Sequence, residues 1–70
     1  MNEKQYAAFL QNIRQIRTKK DIRQHTVARR IGVTPTAYCR MENGQSQITV
    51  ASLFLIAEAL KVSPHELLIQ

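Results

Sequence analysis

The stretch QHTVARRIGVTPTAYCRMEN, Gln24 to Asn43, decides the fold. Gly32 divides it into two short helical patterns. Before the glycine, Val27, Ala28 and Ile31 recur at helical spacing over about two turns. Gly32 then suits a helix end in the left-handed conformation, which only glycine takes without steric cost. Beyond it, Thr34 offers a hydroxyl to the free amides of a new helix, and Pro35 fits the first helical position, where no donor is needed. Helices joined by so short a turn cross at about 90–120° and touch closely beside it. A small residue at Ala28 allows that approach. Val27, Ile31, Val33, Tyr38 and Met41 fill the wedge and pin the angle, and Asn43-Gly44 ends the second of the two helices.

Upstream, Tyr6, Phe9, Leu10, Ile13 and Ile16 predict an amphipathic helix over residues 3–20. Downstream, Thr49 caps a helix carrying Val50, Leu53, Ile56, Ala57 and Leu60 on one face. Ser63-Pro64, with Glu66 three residues after Ser63, forms a capping box for a last short helix. The chain therefore reads as all-α: five helices, no strand, and a single domain over residues 1–70. A 70-residue chain buries only about 60% of its unfolded surface, which leaves little room for an enclosed catalytic pocket.

The net charge of +5 is unevenly placed. Residues 1–40 hold nine Lys/Arg against Glu3 and Asp21, whereas residues 41–70 hold Lys61 against Glu42, Glu58 and Glu66. A basic half beside a mildly acidic one points to a polyanionic partner. One cysteine, Cys39, forms no internal disulfide, and the Cys and His residues are too few for a structural zinc site. His25 and His65 read as surface or capping residues. No metal, cofactor or small-molecule ligand is expected. The absence of a long apolar run excludes a membrane span and fits a cytoplasmic protein.

The run IRQIRTKKDIRQHTVARRIGVTPTAYCRMENG, followed by ITVASLFLIAEALKVSPHELL, resembles the Cro/repressor (Xre-type) helix-turn-helix family from Ile13 to Leu68. The resemblance implies a compact five-helix, lambda-repressor-like DNA-binding domain, with the helix-turn-helix in its second and third helices. It also implies that Arg17 and Glu42 pair to tie the first helix to the end of the third. Four positions depart from the family pattern. Asp21 stands where glycine is common, Arg23 where a capping Ser or Thr is usual, Ile48 where proline is frequent, and Tyr38 where Ile or Val is common.

With Ala37, Tyr38 and Met41 turned inward, the opposite face of the third helix presents Pro35, Thr36, Cys39, Arg40 and Asn43. Arg40 is the leading candidate for reading a base, because its guanidinium donates bidentately to guanine O6 and N7. Thr36 reaches a thymine methyl or a base-edge acceptor, while Cys39 permits close approach. The resemblance implies that Gln24, at the head of the second helix, contacts a phosphate and in some members a base, and Asn43, followed by Gly44, is expected to clamp another phosphate. Arg23, Lys19, Lys20 and Arg14 add electrostatic contacts. Leu55, Leu68 and Ile69 fall outside the core pattern and are candidates for a homodimer contact, with a tail folded back on its own core as the alternative.

The expected function is a transcriptional regulator, a repressor binding a palindromic operator in double-stranded DNA as a homodimer. A restriction-modification controller, a phage or conjugative-element repressor or an antitoxin of the same fold is the alternative, as is a helical protein-interaction module. No nucleophile–base or paired-carboxylate constellation supports an enzyme.

Overall fold

In the computed structural model, which describes residues 1–69, five helices follow one another: α1 (Glu3–Lys19), α2 (Gln24–Ile31), α3 (Pro35–Glu42), α4 (Val50–Leu60) and α5 (Pro64–Leu68). No strand occurs among the described residues. The starts of α3 and α4 are fixed by threonine hydroxyls. Thr34 accepts the Ala37 amide at 3.1 Å, and Thr49 accepts the Ser52 amide at 3.1 Å. At α1, Asn2 and Gln5 cap each other reciprocally. At α5, the Glu66 carboxylate accepts the Ser63 amide at 3.1 Å. Arg23 precedes α2 without any side-chain cap, as its donor-only side chain dictates.

Gly32 ends α2 with φ 79°, a left-handed turn that brings α3 back across α2. Asp21 takes φ 57°, which explains why glycine suits that position and why a short polar residue is tolerated there. Ile48 also has a reason for not being proline: its amide donates to the Tyr6 hydroxyl at 3.0 Å.

The core gathers one or more side chains from every helix. Phe9 and Ile13 of α1 meet Val27 and Ala28 of α2, Tyr38 and Met41 of α3, and Ile56, Ala57, Ala59 and Leu60 of α4, with Leu67 of α5 closing one end. Helix α2 packs against both α3 and α4, and α1 packs against α3 and α5. Five residues are too few for a helix to persist alone, so α5 depends on its attachment. Leu67 is wholly enclosed, and the Asn12 amide donates to the carbonyls of Leu67 and Ile69. Truncating Leu67 to alanine therefore costs about 2–5 kcal/mol.

One sequence expectation fails on α4. Val50, assigned to the buried stripe, is 70% exposed, and Ala59, outside that stripe, is buried. Helix α4 is apolar nearly all round, so its pattern offers little contrast between faces. Phe54, one turn after Val50, is exposed as well.

Candidate nucleic-acid interface

Helix α3 presents Pro35, Thr36, Arg40 and Asn43 to solvent, with Cys39 partly covered, while Tyr38 and Met41 anchor its other side. The exposed residues therefore share one face of a helix whose start and end are both fixed. The start is held by the Thr34 cap and by Pro35. The end is held by Glu42, whose side chain is completely enclosed.

Glu42 is the meeting point of three helices. Arg17 of α1 donates to it bidentately, Nε to Oε2 and Nη2 to Oε1, both at 2.9 Å. The same guanidinium donates through Nη1 to the Ile22 carbonyl at 3.0 Å, so it also secures the entry to α2. Gln24 of α2 donates Nε2 to Glu42 Oε1 at 3.1 Å. Two fork bonds to one carboxylate fix orientation as well as distance. Burial works to raise the Glu42 carboxyl, and the donors around it, Arg17 foremost, more than offset that and hold it below its ordinary value. Burial, together with the adjacent Glu42 carboxylate, pushes the Tyr38 phenol well above its usual range. The Tyr38 hydroxyl is enclosed, and its neighbour is the Glu42 carboxylate, which it meets outside ordinary hydrogen-bond geometry.

The docking candidates separate in space and in engagement. Gln24 directs its side-chain amide nitrogen inward to Glu42, which leaves its other amide atom as the polar group for an external contact. Asn43 Oδ1 accepts from Arg14 Nη2 at 3.3 Å, and its Nδ2 donates to Cys39 Sγ at 3.4 Å. Arg14 also donates to the Glu42 carbonyl at 3.3 Å, so it supports the end of α3 as well as carrying charge. Arg23 lines a cleft with Arg17, Gln24, His25 and Pro35, between the starts of α2 and α3. Without a side-chain cap, the Gln24 and His25 amides at the start of α2 remain available there to a phosphate oxygen, while the Thr26 amide donates to the Arg23 carbonyl at 3.0 Å. His25, which the sequence assigns as a surface or capping residue, belongs to this cleft, and its place beside Gln24 in the first turn of α2 is the signal for it.

Lys19 and Lys20 lie elsewhere. Both are exposed and border a groove shared with Lys61 and α5, to which neither α2 nor α3 contributes. Leu55, Leu68 and Ile69 are 46%, 42% and 50% exposed, and Phe54, which the sequence reading did not single out, is 56% exposed. Among the described residues, no helix is long and apolar enough to cross a membrane.

The pattern of the family described as "Helix-turn-helix" matches residues 13–67. No curated protein matches the chain. Among solved structures, the restriction-modification controller protein C.AhdI from Aeromonas hydrophila superposes with a TM-score of 0.80 at 31% sequence identity, covering 87% of this chain and 92% of that one.

Proposed function

The chain belongs to the Xre-like helix-turn-helix family of DNA-binding regulators, and from that premise we propose that it acts in the cytoplasm as a homodimeric transcriptional repressor on a palindromic operator. The observation that carries this reading is the face of α3. Thr36 and Arg40 are exposed side by side on a helix locked at both ends, so they enter a major groove as a preformed surface. Arg40 reads a guanine, Thr36 reads the neighbouring base, and Cys39 and Pro35 allow the helix to approach. Gln24, Arg23 and Asn43 fix the docking through phosphates.

A single readout helix spans few base pairs, and dimers reach two half-sites about one helical turn apart. The unpartnered side of α4, with Val50, Phe54 and Leu55, and the exposed Leu68 and Ile69 supply apolar surface for a symmetric contact.

Selection of bound sequences from random duplex DNA tests the reading. It is supported by recovery of an inverted repeat whose binding weakens steeply with salt. In that case Arg40→Ala loses about 1–3 kcal/mol of affinity and relaxes preference at one position in each half-site. Affinity indifferent to salt and to Arg40→Ala overturns it in favour of a protein-interaction module. The likeness to C.AhdI favours a second reading within the same class, control of restriction-modification genes. Neighbouring methyltransferase and endonuclease genes would support it.

A further inference from the structure

We propose that the groove between the last turn of α1 and the α4–α5 corner docks an acidic peptide segment that carries apolar side chains, supplied by a partner protein. Its apolar floor is Ile16 and Val62 with the half-exposed Ile69 beside them, and its charged rim is the exposed Lys19, Lys20 and Lys61 together with Glu66. No residue of α2 or α3 lines this groove, but it shares Lys19 and Lys20 with the candidate phosphate contacts and Ile69 with the candidate dimer contact, so peptide and duplex binding are tested separately.

Three observations select the occupant. First, the rim is cationic and uncommitted: among the described residues, none of the three lysines takes part in an ion pair. Second, the floor is apolar, which offers nothing to a phosphate backbone but accepts a leucine-like side chain between two carboxylates. Third, the groove holds about 520 Å³ and is open to solvent. A small ligand there would keep much of its surface wet, whereas well-formed small-molecule sites enclose about 70–90% of theirs. An extended segment lying along the groove meets both the floor and the rim.

Two local details orient the segment. The Glu66 carboxylate lies at the groove and is committed to the Ser63 amide, so it repels acidic residues at that end and directs them toward the lysines. Lys61 ends α4 with φ 60°, its amide bonded to the Glu58 carbonyl at 3.1 Å, which fixes the backbone from which its side chain extends.

The test is an amide chemical-shift titration of the full chain with the synthetic peptide Asp-Leu-Glu-Glu-Leu-Asp. A second peptide with alanine in place of both leucines serves as comparison. Saturating shifts are expected over residues 16–20 and 61–62. Affinity is expected to fall about tenfold or more for the alanine peptide, and likewise for the Lys61→Glu protein. Lys61→Glu is expected to leave binding to a selected operator duplex within about twofold. The proposal is overturned by an absence of shifts at millimolar peptide, or by shifts concentrated on α3. It is also overturned if both peptides bind equally, which marks unspecific charge attraction. Displacement of the peptide from these residues by duplex DNA assigns the groove to nucleic acid and overturns it too.

Discussion

At the end of α3, one enclosed carboxylate takes hydrogen bonds from Arg17 of α1 and Gln24 of α2. Helix α4 is held differently, by the burial of Ile56, Ala57, Ala59 and Leu60. Its polar tie to the helix-turn-helix is Arg30, which donates to the Ala59 carbonyl at 2.7 Å. Hydrogen bonds are directional, so the first arrangement fixes the angle at which the exposed face of α3 is presented. Apolar packing is not directional, and α4 keeps Val50, Phe54 and Leu55 uncovered beside its buried face. The polar region is suited to reading a rigid partner, while the apolar region has surface left over for association.

The largest predicted effect breaks the polar side of this comparison. Glu42→Gln leaves the Arg17 guanidinium without its counter-charge. Loss of one member of a buried pair costs about 3–5 kcal/mol, and Arg17, whose side chain is 12% exposed, places the loss at the lower end. In a chain of this size that lowers the melting temperature by on the order of 10 °C or more, measurable by circular dichroism. An unchanged melting temperature would show that packing, not the carboxylate, holds α3.

The same carboxylate sets a pH limit. Its folded pKa lies below the ordinary 4.5, so its contribution is complete above that value and is lost as pH falls through the lower folded value. Tyr38 acts in the opposite range. Its folded pKa lies above the ordinary 10.0, so its contribution is complete below pH 10.0 and disappears at higher pH. Denaturant melts across pH are therefore expected to show both limbs, and Glu42→Gln is expected to flatten the acid one.

The apolar side is tested by Phe54→Glu. A charge in the centre of a symmetric apolar contact is expected to weaken dimerisation by about 2 kcal/mol, read by sedimentation. The monomer, in which Phe54 is 56% exposed, is expected to keep its stability within about 0.5 kcal/mol. An unchanged association state would move the dimer contact off α4.

Smaller substitutions sharpen the contrast. Arg23→Ser supplies the missing cap of α2 and is expected to add about 1 kcal/mol of stability. If Arg23 also meets a phosphate, DNA affinity falls in the same variant, which separates the two roles. On α4, Lys61→Gly relieves a left-handed residue. The relief, about 1–2 kcal/mol, exceeds glycine's added flexibility, about 0.5–1 kcal/mol, so a net gain of about 0.5 kcal/mol is expected in a denaturant melt.

What the sequence made legible was local. Gly32, Thr34-Pro35, Thr49 and Glu66 act on backbone a few residues away, and each sits where its chemistry predicts. The inward face of α3 was legible for the same reason, because helical spacing alone assigns Tyr38 and Met41. Gln24 was not fully legible. Its commitment to Glu42 spans 18 residues and depends on how two helices cross. Arg14 reaches Asn43 across 29 residues, and nothing in the spacing of charges distinguishes that bond from a solvated side chain. Lys19 and Lys20 are equivalent to Arg23 in sequence, yet they line a different groove from the cleft that Arg23 shares with Gln24 and Pro35. On α4, uniform apolarity hid which residues face outward, so Phe54 passed unnoticed.

The Tyr6 hydroxyl that accepts the Ile48 amide has an evolutionary corollary. Proline at position 48 has no amide to donate, and a tyrosine at position 6 would then hold a partly covered hydroxyl with no use. Relatives with proline at position 48 are free to carry phenylalanine at position 6. A lineage that gives up the proline gains from acquiring the hydroxyl. The two sites, 42 residues apart in the chain, are thus expected to change in concert.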